Sequence, residues 1–186
     1  GWFYDCDSSC EEGDAHLKVN GHTFYTGNAP ISVPATVTHD ENTYSVVEVA
    51  DGAFASVANR VITLSEGIKT IGTDAFYNYR PGNNEAFTIP ASVTEIGQGS
   101  FGRCSVPITF AEDSQLKTVG DNAFDILNLP DTDFVLPDGV ETLGNSVFNN
   151  STLKSVTIPG TVTNLSNSVL SGYTGTIRFT EGPANF

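Results

Sequence analysis

From Ile31 onward, apolar and polar residues alternate in short triplets. These are Ile31-Ser32-Val33, Ile62-Thr63-Leu64, Phe87-Thr88-Ile89, Ile108-Thr109-Phe110, Phe134-Val135-Leu136, Val156-Thr157-Ile158 and Ile177-Arg178-Phe179. A period of two puts the outer members of a triplet on one face and the middle member on the other, the signature of a short half-buried strand. Pro34, Pro90, Pro137 and Pro159 follow four of them, ending the strand where a missing N–H does least harm. Four residues past the strand stands another aliphatic, at Val37, Ile68, Val93, Val140 and Val162. Leu116 takes that place in the fourth repeat, after an insertion in 111–115.

A second pattern runs between the triplets: an aliphatic, a small residue, two polar residues, a small residue and an aromatic. It is clearest at Val119-Gly120-Asp121-Asn122-Ala123-Phe124, with copies at Val49 to Phe54, Ile71 to Phe76, Ile96 to Phe101, Leu143 to Phe148 and Leu165 to Leu170. The last residues fall at 54, 76, 101, 124, 148 and 170, intervals of 22, 25, 23, 24 and 22. Self-similarity at such a period means a solenoid, in which each unit buries its apolar face against its neighbours. Identical connections make the strands parallel, and stacking turns each inward position into a ladder, above all the Phe position. Asp-Asn-Ala-Phe and Thr-Asp-Ala-Phe carry N-cap chemistry, which predicts one turn of 3₁₀ or α-helix with Thr73, Asp121 or Asn145 near its start. The middle residues of the triplets, Ser32, Thr63, Thr88, Thr109, Val135, Thr157 and Arg178, are expected to line up ~4.8 Å apart on the outer face of one parallel sheet. Thr in such a row is explained by strand propensity alone or by a hydroxyl-lined surface that binds a protein or a glycan.

Residues 1–30 do not fit the repeat and are assigned as an N-terminal cap on the open end of the stack. Within them Leu17-Lys18-Val19, Asn20-Gly21 and Thr23-Phe24-Tyr25 read as a hairpin, Asn-Gly supplying the positive φ of a type I′ turn. The excursion Thr38 to Tyr44 reads as a second hairpin, pairing through Tyr44-Ser45-Val46-Val47. Residues 31–180 form about six units, and 181–186 are a tail or a minimal cap. Gly1-Trp2-Phe3-Tyr4-Asp5 has neither an initiator Met nor a basic region, the expectation for a processed or engineered fragment. Cys6 and Cys10 are close enough for a small disulfide loop or are both free; Cys104, three residues after Phe101, falls in a repeat position and is expected as a buried thiol.

Composition narrows the partners. With 22 Asp+Glu against 8 Lys+Arg the net charge is −14, which repels phosphate backbones and anionic membrane surfaces. The 39% of hydrophobic residues, set at a fixed period, argue against disorder. Gly97-Gln98-Gly99-Ser100-Phe101-Gly102 matches the dinucleotide fingerprint G-x-G-x-x-G, but Gly97 is the repeat glycine, equivalent to Gly72, Gly120 and Gly144, and the unit is too short for a crossover helix. Asp5, Asp7, Ser9, Glu11, Glu12 and Asp14 form an acidic cluster without the spacing of a calcium loop, since Cys10 stands where Gly is required. His16, His22 and His39 lack zinc spacing. No cofactor, metal or catalytic nucleophile is expected.

The stretches Thr157-Ile158-Pro159-Gly160-Thr161-Val162-Thr163 and Val119-Gly120-Asp121-Asn122-Ala123-Phe124 resemble the BspA-type leucine-rich repeat family, whose units look like T-I-P-x-x-V-T-x-I-G-x-x-A-F. The resemblance covers about residues 31–180, and the intervals lie within the 20–29 residues of leucine-rich repeats. It implies a right-handed leucine-rich-repeat solenoid, mainly β with small helical content. It also implies an exported or cell-surface location, as in proteins of host-associated anaerobic bacteria, some of which are adhesins for host matrix proteins or other microbes. No catalytic residues come with it. The chain departs from the pattern at Ser166 (usually Gly), at Leu170 (usually Phe), and at the cysteine that often follows the Phe, kept only at Cys104. The expected function is a non-enzymatic interaction module; a carbohydrate-binding accessory protein and a structural spacer presenting another domain are the other readings.

Overall fold

Each rung of the solenoid places two short strands, one for each of the two sequence patterns. The computed structural model describes residues 4–6, 16–19, 29–39, 41–83, 85–166 and 168–182, the first two stretches by backbone alone. The aliphatic-glycine pattern supplies Asn42–Val49, Thr70–Ile71, Glu95–Ile96, Thr118–Val119, Thr142–Leu143 and Asn164–Leu165, which pair in parallel as one continuous sheet. His16–Val19 adds to it in parallel beside Asn42–Val49, and Tyr4–Cys6 pairs antiparallel with His16–Val19. The Asn20-Gly21 turn and Thr23–Tyr25 of the expected first hairpin lie outside the described residues. The excursion is a hairpin: Thr36–His39 runs antiparallel to Asn42–Val49, with Val37 opposite Tyr44 and Thr38 opposite Thr43.

The triplets form the second set of strands, and in all rungs but the last their outer members are buried or, at Leu64 and Phe110, partly buried against the core. Ile177 and Phe179 were expected to point into the core; they are 42% and 64% exposed. An inward side chain is covered by a rung on each side, and among the described residues this rung is stacked on one side alone.

The predicted helical turn is absent: no helix occurs among the described residues. The reason lies in where the N–H groups go. In one rung the N–H groups of Ala75, Tyr77 and Tyr79 donate to carbonyls three residues back, while those of Asp74, Phe76 and Asn78 donate to Gln98, Ser100 and Gly102 of the next rung. A helix needs its successive N–H groups for itself; here every second one ties two rungs together. Left-handed residues make this alternation possible, one two positions before and one two positions after the Phe, as at Asp74 (φ 52°) and Asn78 (φ 58°) around Phe76 or Asn122 (φ 57°) and Ile126 (φ 51°) around Phe124. The capping chemistry is real but acts between rungs, since Asp51 Oδ1 accepts the N–H of Thr73 at 2.8 Å and Asp121 Oδ1 that of Asn145 at 2.6 Å.

Phenylalanine forms the central ladder. Phe54, Phe76, Phe101, Phe124 and Phe148 are buried, with successive ring centroids 5.3, 5.1, 5.8 and 5.8 Å apart and near-parallel planes. Phe87 and Phe134 reach this ladder from the triplet strands, each 4.8 Å from a ladder ring. Three residues past the Phe, Cys104 is a buried free thiol that donates to Phe76 O at 3.2 Å, and Ser151 makes the equivalent bond to Phe124 O at 2.9 Å. Burial pushes the Cys104 thiol up to about 12, so it is held as a core donor rather than a nucleophile.

Candidate interaction surface

The triplets' middle residues face away from the core because their neighbours face into it. Ser32, Thr63, Thr88, Thr109 and Arg178 are exposed, Val135 is 55% exposed, and Thr157 is half-buried. Their register is side by side: Ser32 with Thr63, Thr88 with Thr109, and Val135 with Thr157 and Arg178. Hydroxyls bond along the row, Thr63 Oγ1 donating to Ser32 Oγ at 3.0 Å and the Thr88 and Thr109 hydroxyls lying 3.1 Å apart.

The row does not lie on the single sheet that alternation led us to expect. It is divided among three sheets, Ile31–Val33 with Ile62–Leu64, Phe87–Ile89 with Ile108–Phe110, and Asn128–Val135 with Thr152–Ile158 and Thr176–Phe179. Tyr79 explains the first break. Within the first two of these sheets the N–H that opens the first triplet donates to the residue before the second, Ile31 N to Val61 O and Phe87 N to Pro107 O. Ile62 N donates instead to the Tyr79 hydroxyl at 2.8 Å, and that hydroxyl donates to Arg60 O at 3.0 Å. The connection from Tyr79 to Phe87 is also longer than in the neighbouring repeats, the interval from Phe76 to Phe101 being 25 residues. Tyr79 is buried, and desolvation pushes its phenol up to about 12. Tyr79→Phe leaves a buried N–H without a partner, and is expected to cost about 1 to 3 kcal/mol by urea denaturation. The second break precedes Asn128–Val135, whose register against Thr152–Ile158 shifts between Leu129 and Asp133.

A charged cluster closes the far end of the row. Asp133 accepts from Lys154 Nζ at 2.8 Å and from Ser155 Oγ, and Arg178 reaches back to Ser155 Oγ and to Asp133 at 3.5 Å. Arg178 was read from the sequence; Asp133, Lys154 and Ser155 were not. The available signal was the alternation of Thr152-Leu153-Lys154-Ser155-Val156, which extends that strand ahead of its triplet. The Lys154 hydrogen bond first, then that of Ser155, hold the Asp133 carboxyl down at about 2. Because the folded carboxyl lies below its unfolded value, the unfolded chain takes up the proton first as pH falls. Its contribution is therefore present above about pH 4 and lost toward pH 2. Asp133→Asn is expected to flatten this part of the acid unfolding profile, read as the difference in denaturation midpoint between the two proteins across that window.

Other groups singled out in the sequence take no part in this surface. The G-x-G-x-x-G stretch is packing, since a Cβ on Gly97 would come within 2.9 Å of Gly72 C and Thr73 N in the preceding rung. The acidic cluster of residues 5–14, the Cys6 and Cys10 side chains, and the imidazoles of His16, His22 and His39 lie outside the described side chains.

A stack of about six parallel rungs, two strands to each and a phenylalanine ladder through the middle, defines a β-solenoid repeat protein. The BspA type leucine rich repeat region matches residues 47–177 in six copies, and the chain belongs to that family. No curated protein matches. Solved structures share the fold. The Treponema pallidum leucine-rich repeat protein TpLRR is 19% identical with a TM-score of 0.66, over 97% of this chain and 83% of that one. A Bacteroides ovatus leucine-rich repeat protein is 23% identical with a TM-score of 0.65, over 84% and 45%. The pneumococcal vaccine antigen PcpA is 21% identical with a TM-score of 0.63, over 83% and 47%. The chain thus spans less than half the length of the last two.

Proposed function

We propose that this chain is a non-enzymatic interaction module of an exported or cell-surface protein, adhesin-like in binding a host or microbial surface protein through the triplet face. Residues 1–30 act as the cap of the stack in this reading. The observation that carries it is the row from Ser32 to Arg178: mostly small hydroxyl side chains on strands whose flanking residues pack in or against the core in all rungs but the last, hence an outward strip able to donate and accept hydrogen bonds. Membership of a repeat family whose stacked units build extended binding surfaces supports it, as does the likeness in fold to an antigen. The charge of −14 favours a partner with basic segments.

The test is a binding screen of the purified chain against extracellular-matrix proteins and a glycan array. The expected result is saturable binding to a protein, with association slowing as salt screens the attraction. Binding to glycans alone would assign the chain to carbohydrate recognition instead, and binding to neither would leave it a spacer.

A further inference from the structure

The break between Ile62–Leu64 and Phe87–Ile89 opens a cleft of about 290 Å³, walled by Thr63 and Leu64 on one side and by Phe87 and Thr88 on the other, with Glu66 and Glu85 among its lining residues. It is held open from below. The Tyr79 hydroxyl takes the hydrogen bond that would otherwise zip the strands together. The start of the 80–86 connection is anchored by Arg80 N to Val57 O at 2.9 Å and by Asn59 N to Arg80 O at 2.8 Å. Gly82 (φ 81°) passes so close to Asn59 that a Cβ there would lie 3.1 Å from Asn59 Cα.

The carboxylates are placed as carefully as the walls. Glu66 spans to the next rung, its two oxygens accepting the N–H groups of Ala91 at 2.9 Å and Ser92 at 3.0 Å. The Ala91 bond first, against some desolvation, and then the Ser92 bond keep this carboxyl below its ordinary range, so it is ionised and fixed in position. A carboxylate offers about four lone-pair sites, which leaves Glu66 able to accept about two more donors. Glu85 is oriented by Asn83 Nδ2 at 3.1 Å.

We propose that this cleft receives an arginine side chain presented by the protein partner. Its methylene stem would lie along Leu64 and Ala86, and its guanidinium would meet Glu66 and Glu85. A cleft lined by apolar residues and two carboxylates matches a side chain that is apolar along its stem and cationic at its tip. Arginine fits better than lysine because its planar fork can bond two carboxylates at once and is more weakly hydrated than an ammonium. Two carboxylates in a chain of net charge −14 reject an anionic ligand. This inference rests on the reading of the chain as an interaction module and names the residue type that its partner must offer.

The test is a titration of the ¹⁵N-labelled chain with N-acetyl-arginine amide, with N-acetyl-citrulline amide as the neutral isostere. Arginine amide is expected to give saturable shifts at Thr63, Leu64, Glu85, Phe87 and Thr88, on the order of millimolar for so small a probe, and citrulline amide none. Glu85→Gln sits in an exposed connection and should leave the melting curve unchanged while weakening binding about two- to fivefold, the range of an exposed ion pair. Glu66→Gln should weaken binding as well, but also loosens the tie to Ala91 and Ser92, so the Glu85 variant decides. Equal shifts with citrulline amide, shifts spread over acidic residues such as Glu95 and Glu141, or unchanged binding in Glu85→Gln would each overturn the proposal. If the screen finds a partner whose arginines can all be replaced without loss, the cleft is wrong and the interaction module stands. Saturable arginine binding with no partner in the screen would leave the cleft standing and remove the support for the module.

Discussion

Phe124→Ala is expected to lower stability by ~3 to 5 kcal/mol, the cost of removing a buried aromatic ring and leaving a cavity. The ring is fully buried, stacked 5.8 Å from both Phe101 and Phe148 and 4.8 Å from Phe134, so its removal deprives three other rings of a partner. In a stack held by nearest-neighbour contacts the loss falls on both interfaces of that rung. Leu170 occupies the same column in the last complete unit but is only half-buried, and Leu170→Ala should cost clearly less. Urea denaturation of the two variants measures this, and equal losses would contradict the ladder.

Gly120→Ala is expected to cost about 1 to 3 kcal/mol, although it adds a single methyl group. The methyl carbon would sit 2.8 Å from both Gln98 N and Gly97 C, and these are backbone atoms of the preceding rung that cannot turn aside. The last rung carries Ser166 in this column, and there the packing is looser: Leu165 is 45% exposed, whereas its counterparts Val119 and Leu143 are buried. The same denaturation series checks the prediction; a neutral Gly120→Ala would mean that the rungs are not in the close contact described.

Both predictions concern positions that could be read from the sequence. Columns such as Phe124 and Gly120 recur in register, and in a solenoid recurrence in the chain is neighbourhood in space. The turn around the Phe was misread for a physical reason. Asp121 and Asn145 have the chemistry of helix caps, but a carboxylate that accepts a neighbouring rung's N–H has the same sequence signature as one that caps its own helix. The outward row was legible because alternation fixes which side chains point out. Its division into three sheets was not, since it turns on whether Ile62 N meets a carbonyl or the Tyr79 hydroxyl; the extra length of 80–86 was the clue. Asp133, Lys154 and Ser155 escaped because they precede their triplets, and only pairing across rungs brings them under Arg178.

The central claim, that a partner is bound on the triplet face, is tested most directly by changing Thr88 and Thr109 together to Lys. These two exposed residues are paired in register at the middle of the row and belong to no inward ladder, so the variant should fold and melt as the native protein does. With a partner from the screen in hand, its equilibrium affinity for the two proteins is compared at low salt. The double variant places two cations where a basic partner should dock, and the expected result is loss of binding. Unchanged affinity in a folded double variant would contradict the claim and move the site to another surface, such as the Thr36–His39 hairpin.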